Sequence, residues 1–207
     1  KNEIKVNKNL KAKGDITITN EEAAINVGQG ASMSGANVTL TTTADDVVVD
    51  GGSITATSGN VNFEAGGNVA IDAEVIEAAL NVTVQAGNAV TVNNGVISAA
   101  SGSVNMNAVN DVTINDGSIT ANAVNVTAPE MLVNGGTIKA TTLEASQNMA
   151  VAGGTINATT VQANNAMTLA GGIVNAAKVI ATGAMDIAGS TVNTGTSEGF
   201  AEGTSSN

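Results

Sequence analysis

The feature that most constrains the fold of this chain is a repeat of 18 residues in its C-terminal half. Residues 130–145 read EMLVNGGTIKATTLEA, residues 148–163 read NMAVAGGTINATTVQA and residues 166–181 read AMTLAGGIVNAAKVIA. Self-similarity at a fixed period indicates that each repeat folds into the same small unit and that successive units stack. The repeat therefore predicts an array of equivalent structural units.

Within one repeat, the apolar residues form pairs spaced two apart, which is the period of a β-strand whose alternate side chains face one side. Three short strands per repeat follow from three such pairs. In residues 148–163 the pairs are Met149/Val151, Ile156/Ala158 and Val161/Ala163. A three-strand repeat of this length predicts one turn of an all-β, single-stranded parallel β-helix (β-solenoid), in which each turn hydrogen-bonds to the next.

Paired glycines separate the first strand from the second. Glycine reaches positive φ at little cost, so these positions predict sharp corners. The candidate corner glycines are Gly51, Gly52, Gly135, Gly136, Gly153, Gly154, Gly171 and Gly172.

The register extends upstream with Val or Ile in place of Met. The first-strand positions become Ile16, Val47, Val69, Val90, Val112, Met131, Met149, Met167 and Met185, which predicts about nine turns. At a spacing of about 4.8 Å per turn, the rod is roughly 45 Å long. The extra residues of the longer repeats fall mostly between the second and third pairs, as at 57–60 and 100–103.

These steps set the expected domain boundaries. Residues 1–195 form the solenoid, with a Lys-rich first turn at 1–19, an irregular insertion at 20–37 and regular turns at 38–195; residues 196–207 form a polar tail. The predicted core stack is Met131, Met149, Met167, Met185, Val133, Val151, Leu169 and Ile187. Methionine thioethers can bind soft metals, but these methionines align with Val and Ile, which favours packing.

Composition argues against several classes of function. The 207 residues include no Cys and no His, and Phe63 and Phe200 are the only aromatic residues. Thiol chemistry and His-dependent triads are excluded. The formal net charge is −11, and an acidic chain without Arg is a poor binder of nucleic acid. The chain contains no run of 18 apolar residues, so no membrane span is predicted.

The strings GGTINATTVQANNAMTLAGG (153–172) and GGNVAIDAEVIEAALNVTVQAGNAV (66–90) resemble the repeats of bacterial filamentous-haemagglutinin-type and autotransporter-type β-helix proteins. The resemblance covers residues 15–195 in pattern. It implies a right-handed parallel β-helix that serves as an adhesin or a stalk, and therefore an extracellular or bacterial cell-surface location.

One polar column follows the first strand and forms a candidate Asx ladder. Its members are Asp50, Asp72, Asn93, Asn115 and Asn134. Stacked Asx side chains can hydrogen-bond to one another or to the backbone of a turn. Calcium binding is the weaker alternative, because the oxygens lie in a line and not around a point. No other cofactor is predicted.

The chain offers little for catalysis. Asp45-Asp46 and Asp111/Asp116 come nearest to paired carboxylates, but no pattern gathers acids into one groove. We therefore expect no enzymatic activity and name no catalytic residues. A polysaccharide-active β-helix enzyme and an ice-binding protein with outward Thr residues, such as Thr137 and Thr155, remain weaker alternatives.

The functional prediction rests on the two ends of the rod. The candidate end-to-end contacts are Lys1, Lys5, Lys8, Lys11, Lys13, Glu198 and Glu202. A Lys-rich first turn stacked on the acidic C-terminal end of another subunit would build a head-to-tail filament or matrix. The alternatives are a lysine-guarded edge, a fragment covered by neighbouring repeats of a longer chain, and an adhesin segment that binds a surface ligand through residues 20–37.

Overall fold

The computed structural model describes residues 2–194. Within that range the protein is all-β and every strand pairing is parallel, which confirms the predicted β-solenoid of about nine turns. Each turn contributes a strand to three walls, here named the first, second and third walls after the strands β1, β2 and β3 with which they begin. Several longer strands bend around a corner and contribute to two walls.

The strands of turns 1 to 5 are β1 (Ile4–Val6), β2 (Leu10–Lys11), β3 (Ile16–Asn20), β4 (Ile25–Val27), β5 (Ser32–Gly35), β6 (Val38–Thr42), β7 (Val47–Asp50), β8 (Ser53–Ala56), β9 (Val61–Ala65), β10 (Val69–Ala78), β11 (Val82–Ala86), β12 (Val90–Ala99) and β13 (Ser103–Ala108). Turns 6 to 9 contain β14 (Asp111–Ile114), β15 (Ser118–Thr120), β16 (Ala123–Thr127), β17 (Glu130–Val133), β18 (Thr137–Ala145), β19 (Asn148–Val151), β20 (Thr155–Ala163), β21 (Met167–Leu169) and β22 (Ile173–Ala181). β23 (Met185–Ile187) and β24 (Thr191–Thr194) begin a tenth turn.

The register of the first wall follows the sequence columns. Val47, Val69, Val90 and Val112 are successive partners, and Met131 continues the line. The inward Val, Ile, Leu and Met side chains of the middle turns are 0–2% exposed. The core is one continuous column of small apolar residues, because each inward residue stacks on an equivalent one in the turns above and below.

Residues 20–37 do not form the expected irregular insertion. They contain β4 and β5, which pair with β1 and β2 on one side and with β7 and β8 on the other. Ile16 lies on the third wall as the partner of Val38, and the first-wall residues of turns 1 and 2 are Ile4 and Ile25.

The physical reason for this difference is the polar character of β5. Its outward residues are Ser32 and Ser34, and its inward residues are Met33 and Gly35, so the apolar alternation is weak in the sequence. With the correct assignment, the first-wall positions Ile4, Ile25, Val47 and Val69 are 21 to 22 residues apart. Turns 1 and 2 are therefore as regular as the turns that follow.

One buried polar side chain shows that the hydrogen-bonding groups of the interior have partners. Thr42 is 1% exposed, and its hydroxyl donates a hydrogen bond of 3.0 Å to the carbonyl of Ala23. Among the described residues, no buried side-chain nitrogen or oxygen lacks a hydrogen-bond partner. Polar chemistry is consequently confined to the outer faces, the corners and the two ends.

Candidate end-to-end interface

The methionine column lies in the core. Met131, Met149, Met167 and Met185 are register partners in consecutive turns, and the first three are at most 1% exposed. Their neighbours two residues on, Val133, Val151 and Leu169, are equally buried.

Ile187 departs from the predicted core stack. It is the register partner of Leu169, but it is 46% exposed. The cause is its position, because β23 pairs only with β21 within residues 2–194. An inward residue of the last described turn thus becomes part of an exposed apolar end.

The predicted corner glycines divide into two types. Gly51, Gly136, Gly154 and Gly172 have φ between +73° and +77°, whereas their partners in each pair do not have positive φ. At Gly154, an added Cβ would also lie 2.7 Å from the backbone of Gly135 and Gly136 in the turn below. This corner therefore needs glycine both for its φ angle and for the close approach of two turns.

The predicted Asx column is divided in the structure. The Asn115 amide donates to Asn93 Oδ1 at 2.9 Å, and the Asn134 amide donates to Asn115 Oδ1 at 2.8 Å. Asp50 and Asp72 are register partners, but Asp72 then pairs with Asn94 because the register of β10 and β12 shifts there. Asn93, Asn115 and Asn134 therefore form a hydrogen-bonded ladder, whereas Asp50 and Asp72 are neighbouring carboxylates.

Two further ladders, which were not predicted from the sequence, lie at other corners. Asp15, Asn37, Asn60 and Asn81 are linked at the corner that precedes the third wall. Asp46, Asn68, Asn88 and Asn110 are linked at the corner that precedes the first wall. The signal was present in the sequence, since Asn37, Asn60 and Asn81 each stand directly before an inward Val.

A third missed ladder lies on the outer face of the second wall. The Asn175 amide donates to Asn157 Oδ1 at 2.8 Å, and the Asn193 amide donates to Asn175 Oδ1 at 2.7 Å. Here, and in the corner ladders above, the later turn donates to the earlier turn, through a side-chain amide or, at Asn60, through the backbone N–H. The ladders therefore have a direction, and the N-terminal member needs only to accept.

The candidate carboxylate pairs serve the local backbone and side chains. Asp46 Oδ1 accepts the backbone N–H of Asn68 at 2.6 Å, and Asp45 Oδ1 accepts the backbone N–H of Asp46 at 2.9 Å. Asp111 accepts the Thr113 hydroxyl at 3.1 Å, and Asp116 accepts the backbone N–H of Gly117 at 2.7 Å. In the described part of the chain, no three acidic side chains come together in a metal-binding group.

Shallow grooves lie along the corner between the third and first walls. One has a volume of about 320 Å³, and its lining residues are Asn110, Asp111, Thr113, Pro129, Glu130 and Leu132. Val109, which is 64% exposed, stands at the start of this corner in turn 5. The groove beside Asp111 and Glu130 combines apolar with acidic side chains, as does the one lined by Val109 and Glu64.

The N-terminal end carries four described lysines in the first turn, Lys5 and Lys11 on β1 and β2 and Lys8 and Lys13 in the connections between strands. Within residues 2–194, β1, β2 and β3 pair only with β4, β5 and β6. Lys5, Lys8, Lys11 and Lys13 are all exposed, and Leu10 is 39% exposed. Lys5 Nζ lies 3.1 Å from Glu3 Oε2, and this lysine side chain is still 61% exposed.

The C-terminal end of the described rod carries one exposed acidic residue, Asp186, and one exposed lysine, Lys178. β23 and β24 pair only with β21 and β22, so their outer edges are free in this range. Asp186 is exposed on β23, between Met185 and the exposed Ile187. Lys1, Glu198 and Glu202, which the sequence analysis includes among the end contacts, lie outside the described residues.

No family model matches this chain, and neither the curated proteins nor the solved structures contain a match to it. Among residues 2–194 there is no helix of the length and apolarity that crossing a membrane requires.

Proposed function

We propose that this chain is a non-enzymatic structural protein of the extracellular space or the bacterial cell surface, in which subunits stack head-to-tail into a filament, a matrix or a stalk. The filamentous-haemagglutinin-type and autotransporter-type β-helix proteins, whose repeats it resembles, provide the model for this role.

The observation that carries the proposal is the pair of free strand edges at the two ends of one continuous ladder. β1 and β2 leave one side unpaired at the N-terminal end, and β23 and β24 do so at the C-terminal end, within residues 2–194. An unpaired edge is a template for another strand. Because the two ends are different surfaces, their contact is heterologous and extends without closing.

The charge distribution supports the same proposal. Residues 1–13 contain five of the seven lysines, whereas 17 of the 18 acidic residues lie after residue 13. A basic end on an otherwise acidic rod attracts the far end of another copy and disfavours side-by-side contact of two acidic bodies.

The test is electron microscopy and analytical ultracentrifugation of the purified 207-residue chain at rising concentration, at low and at high salt. Filaments one solenoid wide, whose length grows with concentration and shrinks with salt, are the expected result. Monomeric rods under all of these conditions would contradict the proposal.

A segment of an adhesin is the second candidate. The grooves beside Val109 and Pro129 favour it, because they are open concave surfaces near the middle of the rod. The ligand site expected at residues 20–37 has no irregular loop to support it, since that segment forms turn 2. Glycan arrays and cell-binding assays, with Val109→Glu as the variant that should lose binding, test this role.

A further inference from the structure

Resting on the proposed head-to-tail stacking, we infer that the joint has a fixed register in which Lys5 of one copy lies opposite Asp186 of the preceding copy. The same register places Lys11 opposite Asn193. The partner is a second copy of this chain, and the joint continues the ladders of the first and second walls.

The register of the first wall determines the pairing. Inside the molecule, the inward residue that opens each strand pairs with its equivalent, as Ile4 does with Ile25 and Met167 with Met185. If β1 of the next copy stacks on β23 in this way, Ile4 pairs with Met185. Lys5 then pairs with Asp186, and Val6 pairs with Ile187.

The second wall gives a consistent result. Leu10 pairs with Met33 in β5. The inward column that contains Met33 continues through the successive turns to Val192 of β24 in turn 10. Leu10 of the next copy therefore falls on Val192, and Lys11 falls on Asn193. Both walls continue without a shift, so one rigid stacking satisfies them together.

The apolar residues at the two ends support this arrangement. Leu10 is 39% exposed and Ile187 is 46% exposed, although each belongs to an inward column. In the proposed register Ile187 is covered by Val6, and Leu10 is covered by Val192. Removing this apolar surface from water favours association, as it does in the interior of the rod.

The charges select the same register. Side chains on adjacent parallel strands lie about 5 Å apart, so opposite charges that face each other on neighbouring strands attract. Lys5 already contacts Glu3 at 3.1 Å, but an ammonium group has three donors and this one is largely exposed. It can therefore bind Asp186 and keep Glu3.

The direction of the amide ladders explains Lys11. In the ladder of the second wall, Asn193 uses its amide group to donate to Asn175. Its Oδ1 atom is then positioned to accept a hydrogen bond from the next turn, as Asn157 and Asn175 do in theirs. Lys11 can only donate. At this position, the C-terminal end thus offers an acceptor and the N-terminal end supplies a donor.

A charge exchange tests the register. Lys5→Glu and Asp186→Lys each place like charges in contact, and each should raise the concentration needed for assembly by about fivefold to tenfold. The double variant K5E/D186K restores opposite charges and should return assembly to within about twofold of the original chain. Lys139→Glu and Glu144→Lys, on outward positions in the middle of the rod, are the matched controls and should change assembly little.

Cross-linking gives an independent measurement, because the chain has no cysteine of its own. In the inferred register, K5C/D186C brings two Cα atoms to about 5 Å, within disulfide range. Oxidation should yield covalent ladders of several subunits. The control variant K5C/N193C places the cysteines on different walls and should yield none.

The outcomes separate the two proposals. If the unmodified chain forms filaments, but K5E/D186K does not restore assembly and K5C/D186C gives no covalent ladders, this register is wrong and head-to-tail stacking still stands. If the unmodified chain does not assemble at any concentration or salt, the proposed function fails as well. Circular dichroism of each variant below its assembly concentration verifies that the subunit itself is folded.

Discussion

Turns 3 to 5 and turns 7 to 9 follow the same path with different numbers of residues. Val47 and Val69 are 22 positions apart, whereas Met149 and Met167 are 18 apart. Two of the four extra residues lie at the second corner, since Ile54 and Val61 are seven apart while Ile156 and Val161 are five apart. The other two lie in and after the third wall, where the sequence analysis did not place them.

The longer third wall changes how the core is filled. Its second inward residue is Phe63, Val84 or Met106 in the long turns and Ala145, Ala163 or Ala181 in the short ones. On the first wall the trend is reversed, from Val in the long turns to Met in the short ones. Loss of volume on one wall is offset by a gain on the next, which keeps the interior densely packed.

The largest expected effect is at the widest part of the core. Among residues 2–194, Phe63 is the largest fully buried side chain, and it is 1% exposed between Leu40 and Val84. Phe63→Ala, which gives turn 3 the residue that the short turns carry, should lower the free energy of unfolding by about 3–5 kcal/mol. Urea denaturation followed by circular dichroism measures the loss, and a loss below that of Val84→Ala would contradict this view of the core.

The next effect separates backbone strain from close approach at a corner. Gly30 and Gly154 have φ of +72° and +76°. An added Cβ would have no atom within 4 Å at Gly30, but at Gly154 it would contact the backbone of Gly135 and Gly136 in the neighbouring turn. Gly30→Ala should cost about 1–2 kcal/mol from strain alone. Gly154→Ala should cost at least about 1 kcal/mol more, because two turns must also separate. Equal losses in thermal unfolding would show that close approach is unimportant.

The compensation between walls predicts a smaller, non-additive effect in the short turns. Met149→Val should destabilise by about 1–2 kcal/mol, because it leaves a cavity beside a wall of alanines. Adding Ala163→Val to this variant should recover part of the loss, although Ala163→Val alone overpacks the core and destabilises it. Strictly additive changes in the unfolding free energy would mean that the two walls are packed independently.

The sequence predicted the parts of this molecule that depend on period. The spacing of two within pairs and of 18 between repeats determines the strands, the three walls and the stacked Met column. Turn 2 was missed because Ser32, Ser34 and Gly35 weaken its apolar alternation. The ladders at Asn60 and Asn68 were missed for another reason, since an Asn in a polar corner carries no period of its own until the register of the turns is known.

The smallest expected effect is at the second corner of the long turns, where two of the extra residues lie. The ladder that includes Asn60 is located at this wider corner. Asn60 Oδ1 accepts the backbone N–H of Asn81 at 3.1 Å and its side-chain amide at 3.0 Å. Asn60→Ala should therefore cost about 1 kcal/mol of unfolding free energy. Asn60→Asp keeps the acceptor and should cost less, and Asn62→Ala, which loses only a 3.4 Å contact with Thr39, is the matched control. If Asn62→Ala costs as much as Asn60→Ala in urea denaturation, the wide corner does not depend on its ladder.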